Sequence, residues 1–354
     1  MTSRSTYSTV VLAERPKGQI IPGQTFKIVE KPMLKSEDIP DGHLLVETLY
    51  LSLDPAMRGW LSDTRSYVPP VGLNEVMRGY GIARVINSPA SNFKLGDYVA
   101  CSPGWTEMAI LPESAVVSIN KPPKARLTDA LGVLGLTGLT AYFGITEIGK
   151  VKAGDFVVVS GAAGATGSVV CQIAKIKGAR VLGIAGSEEK VKWLKELGCD
   201  AALNYKAVDF QKSFMEETKD LIDIYYDNVG GDLLEMALTQ AKPHARFVMC
   251  GAISQYNSTN SVGPRNLFMV IAMRIRMQGF IVTDFAKQFD AAREELGQWL
   301  TEGKLQRRET VITGGLKMAE HALCDLFRGV NTGKLLVEVK NDNITGFFVV
   351  TSFP

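Results

Sequence analysis

Short apolar runs separated by proline and glycine dominate the first third of the chain. Three of them, at residues 42–50, 81–86 and 97–101, are rich in the β-branched and aromatic residues that favour strands. The pattern predicts a mostly β, barrel-like region that extends from Tyr7 to about Pro123.

The pattern changes after the double proline at 122–123, which is a plausible domain boundary. The glycine- and leucine-rich stretch from Ala130 to Tyr142 predicts a buried helix that enters a second domain. From Asp155 onward, predicted strands alternate with predicted helices, and the crossovers have the length that a parallel sheet needs. The first four of these elements are a strand at 156–160, a helix at 168–177, a strand at 180–185 and a helix at 188–197.

Three later apolar runs, at 221–226, 246–250 and 277–282, continue the alternation. Together they predict an α/β fold with a doubly wound parallel sheet of about six strands. After about Lys304 the chain should leave this sheet, and the runs at 334–339 and 346–350 predict closing strands that pack on the first domain.

Length and composition limit the protein's class. A chain of 354 residues exceeds the usual prior of about 100–200 residues per domain, which predicts two domains with a cleft between them. The composition, 46% hydrophobic and 21% charged, is typical of a globular protein. The formal net charge of +2 has no block of like charges, so we expect no nucleic-acid partner. No apolar run reaches the length of about 18 residues that a membrane span requires, so we expect a cytoplasmic protein without membrane contact.

The cysteines and histidines do not form a metal-binding pattern. Five cysteines lie far apart without a C-x-x-C pair, which indicates reduced, buried thiols. The three histidines, His43, His244 and His321, are not spaced with a cysteine as zinc ligands would be, so we expect no metal site. A hydrolase is disfavoured because the chain has no G-x-S-x-G segment.

The most informative segment is an A-x-G-x-x-G turn at residues 162–167, between the first strand and the first helix of the alternating region. Small residues allow the backbone to approach a pyrophosphate, and the helix N-terminus offers unpaired N–H groups and a partial positive charge. The alternative is a tight strand-to-helix turn without a ligand. The flanking strand and helix favour a dinucleotide site.

The second predicted strand favours NADP over NAD. It ends in residues 184–187, Ile-Ala-Gly-Ser, without the carboxylate that usually contacts the ribose hydroxyls. Lys190 follows and offers a cation for the additional phosphate of NADP. Glu188 and Glu189 complicate this assignment, but acidic residues at a helix start are equally explained by the helix dipole.

Eight ordered motifs resemble the zinc-independent medium-chain dehydrogenase/reductase family. The resemblance is to its branch of prostaglandin reductases (leukotriene B4 12-hydroxydehydrogenases) and plant and fungal alkenal or enone double-bond reductases. It covers nearly the whole chain and implies a GroES-like β-barrel domain, a Rossmann domain and NADPH in the cleft between them. We expect boundaries at 1–130 for the GroES-like domain, 131–305 for the Rossmann domain and 306–354 for a returning C-terminal segment. The motifs lie at 49–58, 78–81, 135–142, 157–168, 185–190, 204–206, 227–231 and 250–257.

The resemblance also implies roles for single residues along the cofactor. Gly164, Ala165, Thr166 and Gly167 would face the pyrophosphate, and Lys190 and Tyr205 the adenosine 2′-phosphate. Asn228 would lie by the ribose, and Asn331 would reach the cofactor from the C-terminal segment. Taken singly, Lys190 could be a solvated helix lysine and Asn228 a turn residue. The nicotinamide half would be framed by Cys250, Gly251, Ala252, Ile253, Ser254, Tyr256, Phe280, Ile281 and Val282.

Two positions depart from the family pattern. Plant alkenal reductases commonly carry tyrosines where this chain has Ala56 and Ala272, so the proton donor is not assigned and we expect a wider, less polar pocket. The remaining candidate phenols are Tyr80 and Tyr256, with packing or cofactor stacking as the alternative role. The residues expected along the substrate pocket are Ala56, Met57, Arg58, Tyr80 and Ala272.

The function expected from this resemblance is NADPH-dependent, zinc-independent reduction of the carbon–carbon double bond of α,β-unsaturated aldehydes or ketones. Hydride would go to the β-carbon. An NADPH quinone oxidoreductase and a non-catalytic NADPH-binding regulatory protein remain as alternatives. The family likeness further implies a homodimer.

Overall fold

The computed structural model describes residues 5–89, 92–119 and 121–341. Its strands are β1 Thr6–Leu12, β2 Phe26–Pro32, β3 His43–Leu53, β4 Gly81–Asn87, β5 Tyr98–Cys101, β6 Met108–Pro112, β7 Val117–Ser118, β8 Phe156–Val159, β9 Arg180–Ala185, β10 Ala201–Asn204, β11 Ile222–Asp227, β12 Ala241–Met249, β13 Arg276–Gly279, β14 Glu309–Ile312 and β15 Lys334–Glu338. Its α-helices are α1 Met57–Trp60, α2 Leu136–Phe143, α3 Ala165–Ile176, α4 Glu188–Glu196, α5 Phe210–Glu217, α6 Gly231–Thr239, α7 Phe268–Ala272, α8 Phe289–Thr301 and α9 Ala319–Arg328.

The first part of the chain forms antiparallel β-structure, as its short apolar runs predict. β1 and β2 pair in register, and the long strand β3 pairs with β4, β6 and β15. Leu44, Val46 and Val85 are fully buried in one core cluster of this sheet, because alternate residues of each strand face the interior. The predicted β domain is confirmed.

The second part forms a six-stranded parallel sheet in the order β10-β9-β8-β11-β12-β13. β8 and β11 are neighbours in this order, and the connections that follow them run along opposite faces of the sheet. In folds of this kind a crevice forms at the carboxyl ends of two such strands. All four residues of β8 are buried, since helices cover both faces of such a sheet. The predicted doubly wound sheet is confirmed.

The glycine- and leucine-rich stretch differs from the long helix that was predicted. A 3₁₀ turn at Leu127–Ala130 is followed by a bend, and α2 begins only at Leu136 with Gly135 as its N-cap. A Cβ on Gly138 would lie 1.8 Å from the Val133 carbonyl oxygen. The glycines therefore let the chain fold tightly back on itself where the composition suggested a continuous helix.

The strand predicted at 277–282 is also shorter than expected. β13 ends at Gly279, and a 3₁₀ helix begins at Val282. β13 pairs only with β12 in the described part of the chain, so it is an edge strand. Edge strands are commonly short, which accounts for its early end.

The returning segment joins the first domain, as expected for residues 334–339. β15 pairs in parallel with β14 and antiparallel with β3. The closing strand predicted at 346–350 lies outside the described residues. Among the described helices, none combines the length and apolarity needed to cross a bilayer.

Candidate cofactor and substrate site

The glycine turn joins β8 to α3 through a sharply bent backbone. Gly161 has a φ of +57°, in the left-handed region that favours glycine. A Cβ on Gly167 would lie only 2.4 Å from the Gly161 carbonyl oxygen, so the helix can pack on the strand only with glycine there. Gly164 is the N-cap of α3 and supplies no side-chain acceptor, which leaves the N–H groups of the first helical turn open to an anion.

At the end of β9 two lysines flank a polar corner. Ser187 caps α4 by accepting a hydrogen bond from the Lys190 backbone N–H at 3.3 Å. Burial lowers the pKa of the Lys190 ammonium, and the nearby charge of Lys206 lowers it further. Tyr205 lies against Gly186, where an added Cβ would meet the tyrosine ring at 2.8 Å. This arrangement fits a phosphate group, which would relieve the repulsion between the two ammonium groups.

Each of the two glutamates at this corner interacts with another side chain of the protein. Glu188 accepts a hydrogen bond from Asn204 Nδ2 at 2.7 Å, and Glu189 pairs with Arg308 at 3.4 Å. The charge of Glu189 is therefore partly balanced by a cation, whereas Glu188 is hydrogen-bonded to a neutral amide. Both carboxylates thus have protein partners beside the two lysines of this corner.

At the end of β11, Asp227 organises the turn that carries Asn228. Its buried carboxylate accepts hydrogen bonds from the Val229 and Gly230 N–H groups at 3.0 and 2.9 Å and from Ser160 Oγ at 2.8 Å. Burial raises the pKa of Asp227, while these hydrogen bonds oppose the increase. Asn228 Nδ2 donates to the Ser160 carbonyl oxygen at 2.7 Å, which fixes this turn beside the glycine turn.

The loop after β12 places Tyr256 beside the Asn228 turn. The Tyr256 hydroxyl accepts a hydrogen bond from the Ala252 N–H at 3.1 Å, and the Ile253 N–H donates to the Asn228 carbonyl at 3.2 Å. Burial raises the pKa of Tyr256, so the phenol stays protonated near neutral pH. Within the described residues no acceptor takes up its O–H, which leaves that proton free for a ligand. We call residues 161–167, 228–230 and 250–257 the cofactor wall.

Other residues predicted along the nicotinamide half lie around this loop. Burial raises the pKa of Cys250 to about 11, which makes it a neutral thiol beside Tyr226. Ser254 Oγ donates to the Val229 carbonyl at 2.6 Å. Phe280 packs against Gly144, where an added Cβ would lie 2.7 Å from its ring. Ile281 and Val282 follow Phe280 at the start of the 3₁₀ helix.

The C-terminal segment that carries Asn331 crosses the glycine turn. The Gly333 N–H donates to the Ala163 carbonyl at 2.8 Å, and Lys190 Nζ donates to the Gly329 carbonyl at 2.6 Å. Asn331 is buried, and its Nδ2 donates to the Gly333 carbonyl at 2.8 Å. The structure thus brings the predicted pyrophosphate and 2′-phosphate residues together with Asn331.

The residues predicted along the substrate pocket have different environments. Residues 54–58 form what we call the substrate wall. Met57 is fully buried in the first domain's core, Ala56 is half-buried, and the buried Arg58 guanidinium donates to the Pro16 and Gly18 carbonyls. Arg58 Nε also donates to Asn257 Oδ1 at 3.1 Å, which ties the substrate wall to the cofactor wall.

Tyr80 and Ala272 lie elsewhere. Tyr80 lines a cavity of about 770 Å³ between residues 117–136 and α8. None of the residues predicted to bind the cofactor is among the described residues that line this cavity. Burial raises the pKa of the Tyr80 phenol, and the charge of Arg293 opposes this. Ala272 is half-buried at the end of α7, just before the edge strand β13. Only Tyr256 of the two candidate phenols therefore lies on the cofactor wall.

Sequence reasoning missed three residues of this region: Asp227, Asn257 and Lys334. Asp227 had a usable signal, because an acidic residue before an Asn-x-Gly-Gly turn is well placed to accept its N–H groups. Asn257 and Lys334 had none, since their partners Arg58 and Asp54 are distant in the chain. Within the described residues no three His, Cys, Asp or Glu side chains are grouped so that they could hold a metal ion.

The chain is similar to known oxidoreductases over most of its length. Residues 8–119 match a family described as the N-terminal domain of oxidoreductase, and residues 165–298 match one described as zinc-binding dehydrogenase. The NADPH-dependent curcumin reductase of Escherichia coli is 39% identical over 94% of this chain and 97% of that protein. Prostaglandin reductase 1 of Bos taurus is 40% identical over 88% of this chain and 92% of that protein. A crystal structure of CurA in complex with NADPH from Vibrio vulnificus has a TM-score of 0.88 and 38% identity, covering 95% of this chain and all of that one.

Proposed function

Since the chain belongs to the medium-chain dehydrogenase/reductase family, in the branch of prostaglandin and alkenal reductases, we propose that it reduces carbon–carbon double bonds of α,β-unsaturated aldehydes and ketones. Relatives of similar length are named for the reduction of curcumin, prostaglandins and 2-alkenals, which supports this class of substrate. The single observation that carries the proposal is the Tyr256 phenol, a protonated donor on the cofactor wall.

The cofactor is NADP(H), and the geometry supports the following residues as those that bind it. The open first turn of α3 receives the pyrophosphate, and Lys190 with Tyr205 receives the 2′-phosphate. The Asn228 turn and the loop 250–257 hold the nicotinamide half, and Asn331 covers the glycine turn. When bound, the cofactor supplies the hydride.

The protein's own contribution is orientation and electrostatic stabilisation. Tyr256 donates its proton in a hydrogen bond to the substrate's carbonyl oxygen, where negative charge develops as the β-carbon is reduced. The phenol is suited to this because burial keeps it neutral and the Ala252 N–H fixes its position. The substrate wall closes the other side through the hydrogen bond between Arg58 and Asn257.

The small side chain of Ala56 defines the substrate class further. The Ala56 side chain offers no hydrogen-bonding group, so the pocket selects the apolar part of the substrate by its shape. The carbonyl group of the substrate is recognised by residues of the cofactor wall. This favours bulky enals and enones over small polar ones.

We also propose a three-part organisation and a homodimer. The boundaries 1–130, 131–305 and 306–354 are supported by the pairing of β8–β13 in one sheet and of β14 and β15 with the other. The dimer is supported by the edge strand β13 and by Leu267, Phe268 and Ile271 beside it, which are 52%, 71% and 72% exposed. Light scattering should report a dimer, and Ile271→Asp should yield monomer.

The test of the enzymatic proposal is NADPH oxidation by the purified protein with a panel of enals, enones and quinones. NADH and an added chelator serve as controls. Turnover of enones with NADPH, insensitive to chelator, would support the proposal. Turnover of quinones alone would assign a quinone reductase, and binding of NADPH without turnover of any compound would leave a binding protein.

A further inference from the structure

Residues 329–334, which we call the return strap, connect three parts of the site. The first contact is from Lys190 Nζ to the Gly329 carbonyl, at the corner proposed for the 2′-phosphate. The second is the parallel bridge between Gly333 and Gly164, at the N-cap of α3. The strap therefore runs across the backbone that receives the pyrophosphate.

The third contact is an ion pair at the end of the strap. Lys334 Nζ donates to Asp54 Oδ1 at 2.6 Å and to the Leu53 carbonyl at 2.9 Å. The Lys334 side chain is only 3% exposed, whereas that of Asp54 is 26% exposed. An ammonium group this deeply buried is costly unless it keeps its partners, so the strap and Asp54 should move together.

Asp54 is the first residue of the substrate wall. Its other carboxylate oxygen accepts a hydrogen bond from Ser52 Oγ, which fixes the carboxylate at the end of β3. The chain then continues through Pro55 and Ala56 to Arg58. A displacement of Asp54 is thus transmitted directly to Ala56 and Arg58, because proline limits the backbone freedom between them.

We propose that Lys334 is a positioning residue that couples occupancy of the glycine turn to the placement of the substrate wall. A dinucleotide on the glycine turn holds the strap, the strap holds Lys334, and Lys334 holds Asp54. The proposal rests on the proposed placement of NADPH at residues 161–167. It goes beyond that placement because it assigns to a buried lysine a role that involves no contact with cofactor or substrate.

Hydrogen exchange followed by mass spectrometry tests this coupling without any turnover. In the wild-type protein, saturating NADPH should slow amide exchange both at 161–170 and at 54–61. In Lys334→Met the protection at 161–170 should remain, while that at 54–61 should fall by about tenfold or more, to near the level without cofactor. A purely structural lysine would change the exchange of 54–61 equally with and without NADPH.

Lys340→Met is the matched control. Lys340 follows β15 and forms an ion pair with Glu47 of β3, just as Lys334 forms one with Asp54. Unlike Lys334, the Lys340 side chain is 53% exposed. This variant should respond to NADPH as the wild type does. Asp54→Asn provides a second route if Lys334→Met does not fold, because it keeps a hydrogen-bond acceptor and removes the charge. It should lose part of the protection at 54–61.

Three outcomes would overturn the proposal. Equal NADPH-dependent protection of 54–61 in wild type, Lys334→Met and Asp54→Asn would show that the ion pair does not transmit occupancy. Protection at 161–170 without protection at 54–61 in the wild type would contradict the coupling alone. Absence of protection at 161–170 would contradict the cofactor placement, and with it the coupling that rests on it.

Discussion

The two walls of the cleft differ in how their structure is fixed. The cofactor wall stands on a parallel sheet whose strands β8 and β11 are almost wholly buried, and it presents mainly backbone groups at the strand ends. The substrate wall is a short irregular segment, residues 54–58, held by two charged side chains that reach other parts of the chain. The sheet therefore fixes the residues proposed to bind the cofactor, while long-range polar contacts fix the segment proposed to face the substrate.

The strongest test of this comparison is Gly167→Val, within the cofactor wall. Its side chain would need space already occupied by the Gly161 carbonyl, so α3 would separate from the turn. We expect NADPH binding to weaken by about 100-fold or more in a fluorescence titration. Gly263→Ala is the control, since nothing lies within 4 Å of its added Cβ and the residue is outside the cofactor wall, so NADPH binding should stay close to that of the wild type. Equal losses in the two variants would contradict the steric explanation.

Lys190→Met removes one cation from the corner proposed for the 2′-phosphate. The dissociation constant for NADPH should rise by about 10- to 50-fold, while that for NADH should change little. Lys192→Met is a matched control, because Lys192 is exposed on the same helix. If NADH binding weakened as much as NADPH binding, Lys190 would not discriminate between the cofactors.

The same lysine predicts a pH dependence. Only the charged ammonium attracts the phosphate, and the pKa of Lys190 is lowered by burial and by Lys206. The preference for NADPH over NADH should therefore decline as pH rises through this lowered pKa, earlier than an ordinary lysine would titrate. Titrations with both cofactors across that range measure it. In Lys190→Met this decline should be absent.

Tyr256→Phe tests the phenol that we propose to donate a hydrogen bond to the substrate's carbonyl oxygen. The variant lacks the Tyr256 hydroxyl group, which accepts a hydrogen bond from the Ala252 N–H. It therefore also lacks the O–H that we propose to donate to the substrate. We expect kcat for an enone to fall by about tenfold, with NADPH affinity within about threefold of wild type. Tyr80→Phe should leave kcat close to that of wild type, because Tyr80 lines the cavity beside α8 and not the cofactor wall. The opposite ranking would move the phenol that contacts the substrate to the cavity beside α8.

The smallest effect is expected in the substrate wall. Ala56→Tyr adds bulk and a hydroxyl to the pocket and should shift kcat/KM toward small enals by a few-fold, without changing NADPH binding. A series of enals of increasing size measures the shift. An unchanged ranking across the series would mean that Ala56 does not face the substrate.

The sequence predicted the sheet and the glycine turn because both depend on local patterns. The apolar runs that became β8, β9 and β11 were recognisable by their composition and by the helices between them. It predicted the region of residues 130–142 less well. There a continuous helix was expected, but tight backbone contacts at Gly135 and Gly138 produced a bend first. Such contacts depend on which chain segment lies opposite, and this cannot be read from composition.

What the sequence determined by itself is therefore the parallel sheet, the glycine turn between its first strand and helix, and the cation at Lys190, since each depends on residues close together in the chain. The tertiary structure alone decided the contacts that hold the substrate wall. Lys334 and Asp54 are 280 residues apart, and Arg58 and Asn257 are 199 apart. Their pairing follows from the return of the C-terminal segment to β3 and from the packing of the two domains, which bring distant polar groups together.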